Sequence, residues 1–198
     1  MSTDVKIRWI HAGIVGGIAA SVLYPTLLIA PMPLLPTVIA ASLLGPAIGV
    51  GSIGLRQLIV LHQPSVMATL AAVFNFAAGA VFTTMALVQL AARSAETPLA
   101  GLVSVWLGID VAWDVYVGLG TLLFAASMVG HPRYGWMFAG PGLLIAVVML
   151  ALNLTYFPAP PAESGSFDAG PLVGLWDLAA TLQAWRSLGW ARSRPPAV

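Results

Sequence analysis

The chain has 198 residues, of which 59% are hydrophobic and only 8% are charged. Soluble globular domains carry about 25% charged residues, so the composition excludes an ordinary water-covered surface and indicates that lipid covers most of the outside. The net charge of +1, without a basic patch, argues against nucleic acid as a partner. The chain contains no cysteine, which excludes disulfides, thiolate catalysis, iron–sulfur clusters and zinc–thiolate sites.

The first half of the chain predicts three membrane-spanning helices. An apolar run of 22 residues from Trp9 to Ala30 is longer than the apolar core of a signal peptide, which is about 7–15 residues, and predicts the first of them. The proline-rich segment 31–36 ends that helix. The second predicted helix covers about residues 35–61, with Pro46 as a probable kink, and the third covers about residues 65–92.

The second half of the chain predicts three more helices, at about residues 99–129, 136–157 and 171–190. The helix at 99–129 is the longest, so it is either tilted or protrudes from the bilayer. A polar loop of 13 residues, 158–170, is the longest segment outside the predicted helices and is too short for a soluble domain. The sequence therefore predicts an all-α fold, a polytopic transmembrane bundle of about six helices, as a single domain over residues 1–198.

The basic residues predict the orientation of this bundle. With six spans and the N-terminus inside, only Arg93 lies on the outer side. An excess of lysine and arginine marks cytoplasmic segments, so the sequence predicts a protein of the cell membrane with both termini cytoplasmic. The seven basic residues on the inner side are Lys6, Arg8, Arg56, Arg133, Arg186, Arg192 and Arg194.

Asp110 and Asp114 are the most informative polar residues of the sequence. They stand four apart on the predicted fourth helix, so both project from one face. At 1.5 Å per residue from Leu99 they lie roughly 16 and 22 Å into the helix, where inserting one aspartate costs about 2.5–3.5 kcal/mol. Three arrangements stay open: one or both are protonated, a cation or basic partner sits between them, or they line a water-filled cavity. The pattern predicts a proton, cation or basic-ligand site; the alternative is hydrogen bonding that only fixes helix packing.

Three further polar residues are candidate binding residues. Asp177 lies roughly 10 Å into the predicted sixth helix, Asn153 lies near the outer end of the fifth, and Asn75 lies close to the middle of the third. Each amide alone is typical of a packing hydrogen bond, worth about 0.6–2 kcal/mol. Together with Tyr24 they predict an outer half that is more polar inside than the inner half, as around an outward-facing pocket.

The sequence predicts no cofactor, no metal site and no catalytic residue. The three histidines, His11, His62 and His131, all fall at cytoplasmic helix ends, so a pair of haem ligands at bilayer depth is not expected. Lys6 precedes the first span, which argues against a retinal Schiff base.

Two glycine pairs predict close helix contacts. Gly13 and Gly17 in the first helix, and Gly45 and Gly49 in the second, form small-x-x-x-small faces that let helices approach. The alternative is that the glycines around Pro46 make the second helix a hinge or a broken helix, as in transporters.

The C-terminal half resembles a group of bacterial multi-span membrane proteins. The resemblance lies in Trp113–Phe124, His131–Gly135, Leu152–Pro161 and Asp168–Trp176. In layout these segments are similar to the DUF4386-type membrane proteins. The resemblance implies a compact bundle of about six helices, and it carries over no activity and no functional residue.

Two main hypotheses for the function follow from the sequence. The first is a small transporter or channel-like protein for protons, a cation or a small ligand, with its pathway past Asp110 and Asp114. The second is a non-transporting subunit or helper, as a homo-oligomer or with a membrane partner, whose polar residues only hold helices together. A membrane enzyme acting on a lipid-like substrate is weaker, because no nucleophile–base pair is evident. Transport predicts that the aspartates face a hydrated cavity; the helper role predicts that they are buried and bonded to neighbouring helices.

Overall fold

A computed structural model of the protein describes residues 3–94 and 101–193. All regular secondary structure in these two ranges is helical, as the sequence predicted. The helices are α1 (Thr3–Ile29), α2 (Leu34–Val60), α3 (Val66–Ser94), α4 (Leu102–Met128), α5 (Gly135–Tyr156), α6 (Gly170–Arg186) and α7 (Leu188–Arg192).

Five of these helices, α1 to α5, are long and apolar enough to cross a membrane. This confirms the predicted class, an all-α bundle of membrane-spanning helices. Helix α6 has 17 residues and is therefore about 26 Å long, at the lower limit for a span of the hydrocarbon core.

The predicted helix boundaries agree with the structure except in three places. Helix α1 begins at Thr3, six residues before the predicted start, and carries Asp4 in its first turn, where a negative charge stabilises the helix dipole. The predicted start of the fourth helix at residue 99 lies outside the described residues. The third difference is that the predicted sixth helix, 171–190, is interrupted at Ser187.

The interruption at Ser187 has a local cause. The Ser187 hydroxyl donates to the Gln183 carbonyl at 2.7 Å, a bond back to the preceding turn that competes with the helical ladder and bends helices. The same oxygen accepts a bond from Arg133 Nε at 3.1 Å. Ser187 is fully buried between these partners, and the chain makes a turn there that separates α6 from α7.

The helices form a closed ring. Each of α1 to α5 packs against the next helix in the chain, and α6 packs against both α5 and α1. Buried apolar residues form two clusters, one around Ile10, Leu58 and Phe124 and one around Leu44, Phe82 and Trp113. A helical ring of this kind leaves room for a space between non-adjacent helices, and α2 and α6 border such a space.

The predicted glycine contacts are present. Gly13 packs directly on Gly54 of α2, and Gly45 packs on Gly79 of α3. A Cβ atom on Gly49 would lie 2.6 Å from the Phe76 ring. Gly13 and Gly45 need to be glycine because a neighbouring backbone occupies the space of a side chain, and at Gly49 the Phe76 ring occupies it, which supports the packing interpretation.

Candidate functional site: a cavity between helices α1, α2 and α6

A cavity of about 370 Å³ lies among α1, α2 and α6, with α4 and α5 contributing to its back wall. This volume is within the range of small-molecule sites, about 300–1,000 Å³. Most of its lining is apolar. Its polar side chains are Ser21, Tyr24, Ser52, Asp177 and Thr181.

The α6 wall of the cavity is a single stripe of residues. Gly170, Gly174, Asp177 and Thr181 are spaced by four, three and four residues, so they share one face of the helix. On α1 the cavity is lined by a stripe of the same spacing, Gly17, Ser21, Tyr24 and Leu28.

The two stripes face each other. Gly17 packs against Thr181, and a Cβ atom on Gly174 would lie 3.9 Å from the Tyr24 ring. Because residue numbers rise along α1 as they fall along α6 in these contacts, the antiparallel register places Ser21 opposite Asp177. Asp177, the acidic residue of the cavity, therefore lies between the two contacts that join these helices, Gly17 with Thr181 and Tyr24 with Gly174.

Asp177 has no compensating partner in the part of the chain that the structure describes. Neither a charged group nor a hydrogen-bond donor acts on its carboxyl. The nearby Ser21 hydroxyl already donates to the Gly17 carbonyl at 2.8 Å. Carboxyl groups inside an apolar bundle are normally paired or hydrogen-bonded, so the half-buried carboxyl of Asp177 in the cavity wall is available to a ligand.

An aromatic row separates the cavity from the centre of the bundle. The rings of Tyr24 and Phe82 lie 6.3 Å apart, edge to face, and those of Phe82 and Trp113 lie 5.0 Å apart in the same geometry. Tyr24 and Trp113 also line the cavity. Edge-to-face pairs stabilise by about 0.5–1.5 kcal/mol beyond their burial, so this wall is well ordered.

The predicted pair on helix α4 lies outside the cavity, and Asp114 is the chain neighbour of Trp113 in this aromatic row. Asp114 is 7% exposed and Asp110 is partly buried. Neither lines the cavity. Asp168 and Glu163, from the loop between α5 and α6, lie within electrostatic range of Asp110. The end of the bundle at the α5–α6 loop thus gathers acidic groups from α4 and from this loop.

Asn153 joins this acidic group from helix α5. Its side chain lies close enough to the Asp114 carboxyl to act on it, and its Nδ2 donates to the Met149 carbonyl at 3.1 Å. Asn153 is 2% exposed, and its Oδ1 atom has no hydrogen-bond partner among the described residues. The predicted residues Asp114 and Asn153 are therefore brought together, as an interhelical contact between α4 and α5.

Asn75 occupies a different place. Its side chain lies directly on Gly120 of α4. Any side chain at position 120 would overlap with Asn75. It is 2% exposed, and its Oδ1 atom is likewise without a partner in the described ranges. Asn75 thus belongs to the interface of α3 and α4 and does not line the cavity.

Of the five predicted binding residues, the cavity contains only Asp177. The predicted roles of Asp110, Asp114, Asn75 and Asn153 stay predictions, and the cavity adds residues that the sequence reasoning did not single out, notably Ser21, Ser52 and Thr181. The equal spacing of polar and small residues along α1 and α6 could have indicated Ser21 and Thr181. The spacing does not indicate that α1 and α6, which are far apart in the chain, are neighbours in the fold.

No group of three or more acidic or histidine side chains within residues 3–94 and 101–193 is arranged to hold a metal ion. Comparison of the chain with protein-family models, curated proteins and solved structures finds no match.

Proposed function

We propose that the protein is a small membrane transporter whose ligand chamber is the cavity between α1, α2 and α6. The observation that carries this proposal is the unpaired carboxyl of Asp177 in the wall of a cavity of about 370 Å³. An ionisable group inside a membrane span is costly, and such groups mark substrate and ion pathways. The chamber lies between helices from opposite ends of the chain, and rearrangement of packed elements around a fixed site is a known mode of transport.

The acidic pair on α4 would act as a coupling site for protons or a cation. Tyr24 lines the cavity and lies within electrostatic range of Asp168, Asp114 and Asp110. A change of charge at Asp110 or Asp114 would therefore change the electrostatic potential in the chamber, because Coulomb interactions are strong where water is scarce. This is the link between the predicted site and the cavity.

For the orientation we propose six spans, with α6 crossing the bilayer and both termini in the cytoplasm. The distribution of basic residues supports this. The cysteine-free sequence allows a direct test with single cysteines at two exposed serines, Ser164 and Ser193. We expect a membrane-impermeant thiol reagent on intact cells to label Ser164→Cys and not Ser193→Cys. The opposite pattern would reverse the orientation, and labelling of both would remove α6 as a span.

Transport itself is tested with purified protein in liposomes that contain a pH-sensitive dye. Under an imposed inside-negative potential, wild-type protein should carry protons at a rate above empty liposomes. We expect Asp110→Asn/Asp114→Asn to lower the rate at least tenfold, and Asp177→Asn to alter it. Asp4→Asn is the matched control, since Asp4 lies in the first turn of α1, outside the core. Equal proton rates for the wild type and the double variant, with unchanged folding, would refute coupling at the pair.

The second candidate function is a non-transporting membrane subunit or helper. Asn75 on Gly120 and the contact of Asn153 with Asp114 favour it, because both are polar contacts between helices away from the cavity. This role predicts that the double variant loses thermal stability, and that wild-type liposomes leak no faster than empty ones. The flux measurement therefore separates the two candidates.

A further inference from the structure

The wall of the cavity restricts the chemistry of what can occupy it. Among residues 3–94 and 101–193, Asp177 is the one acidic side chain that lines it, and no basic side chain does so. Its hydroxyl-bearing residues are few, and that of Ser21 is already engaged with the Gly17 carbonyl. A ligand that complements this wall has one positive charge, to pair with the carboxyl, on a body that is otherwise apolar.

The cavity also reaches the lipid-facing surface of the bundle. Leu28 and Ile29 of α1 and Leu175 of α6 line it, and they are 64%, 80% and 62% exposed on the outside of the protein. Pro25 of α1 lies at the same level, and a proline inside a helix removes a backbone hydrogen bond and kinks the helix. The cavity therefore opens to the surface of the bundle between the Ile29 end of α1 and Leu175 of α6.

We propose that the cavity binds a hydrophobic monovalent cation, which reaches Asp177 from the bilayer through the gap between α1 and α6. The carboxyl supplies the counter-charge, and the apolar walls take up the body of the ligand. A charge pair in this low-dielectric setting is stronger than at a water-exposed surface. This inference rests on the proposed ligand chamber and names the class of its substrate.

Binding is tested with radiolabelled tetraphenylphosphonium on the full chain in lipid nanodiscs, with empty nanodiscs subtracted. Tetraphenylborate, an anion of the same shape, is the competitor that separates charge from size. We expect saturable binding of the cation, no competition by tetraphenylborate, and at least a tenfold loss of affinity in Asp177→Asn. Asp4→Asn removes an exposed acid in the first turn of α1, away from the cavity, and should bind within about twofold of wild type. Unchanged affinity in Asp177→Asn, or equal competition by tetraphenylborate, would overturn the proposal.

A second measurement does not depend on the folding of the Asp177 variant. Ser21 stands opposite Asp177, and Ser21→Cys places one thiol in a cysteine-free chain. We expect a cationic methanethiosulfonate to modify this thiol at least tenfold faster than an anionic one. Tetraphenylphosphonium should slow that reaction. Equal rates for the two reagents, or no protection, would argue against a cation in the cavity.

The two proposals can fail separately. If tetraphenylphosphonium binds through Asp177 but no flux is measured in liposomes, the proposed transport function is refuted and the proposed cation site is supported. If proton flux depends on the α4 pair but the cation does not bind, the substrate class is wrong and the transporter stands.

Discussion

Replacing Gly16 by alanine tests how tightly helices α1 and α2 depend on their glycines. A Cβ atom at this position would lie 2.8 Å from the Ala47 carbonyl oxygen and 2.8 Å from the Gly51 amide nitrogen. Both atoms belong to the α2 backbone, so neither can rotate away. Optimal contacts between such atoms are about 3.5–4.0 Å, and the two helices would have to separate by roughly 0.6 Å or more.

The expected cost follows from this separation. Overpacking a tight interface costs about 1–3 kcal/mol, and the neighbouring contact of Gly13 with Gly54 would loosen as the helices move apart. Alanine regains up to about 1 kcal/mol in helix propensity. We expect Gly16→Ala to lower the free energy of unfolding by about 2 kcal/mol, or roughly 4–8 °C in midpoint for a chain of this size.

The assay is thermal unfolding in detergent, followed by near-ultraviolet circular dichroism. Gly108→Ala is the control, because a Cβ atom there has no neighbour within 4 Å. Gly108→Ala has the same gain in helix propensity without the clash, so its unfolding midpoint should equal or exceed that of the wild type. Equal midpoints for Gly16→Ala and Gly108→Ala would refute the account of α1 and α2 as helices held at backbone contact.

Three further changes test the packing of α5 and α6. Gly142→Ala would place a Cβ atom 2.7 Å from the Trp176 ring and should destabilise by about 1–3 kcal/mol; an unchanged midpoint would contradict that contact. Trp176→Phe removes the bond from Nε1 to the Phe138 carbonyl at 2.9 Å and should cost about 0.6–1.5 kcal/mol in the same melt. Burial raises the pKa of the Tyr134 hydroxyl, against the opposing charge of the adjacent arginine. The protonated phenol therefore stabilises the fold below about pH 10, and this stability is lost as the pH rises above the unfolded value. Tyr134→Phe should lose the bond to the Ala180 carbonyl at neutral pH and flatten the alkaline fall in midpoint; an identical pH profile would contradict this.

The sequence predicted the helices well because hydrophobicity over about 20 residues is a local property. The helix ends at Val60 and Tyr156 fall within one residue of the predicted ends, where prolines and polar residues follow. The interruption at Ser187 was missed because its local bond to Gln183 is joined by a bond from Arg133, which is 54 residues away in the chain. Distant partners of this kind leave no trace in local composition.

The candidate site, like the fold, could be predicted only in part from the sequence. The sequence by itself determined that Asp110 and Asp114 share a face and that Asp177 lies within an apolar helix, since spacing and hydropathy are enough for both. Only the tertiary structure decided that Asp177 faces α1 across a cavity, while the α4 pair lies outside that cavity. The physical reason is that lipid and helix interior are both apolar, so composition does not tell which face of a membrane helix meets a neighbour. That choice is made by the close contacts of small residues such as Gly17 with Thr181, which bring together two helices from opposite ends of the chain.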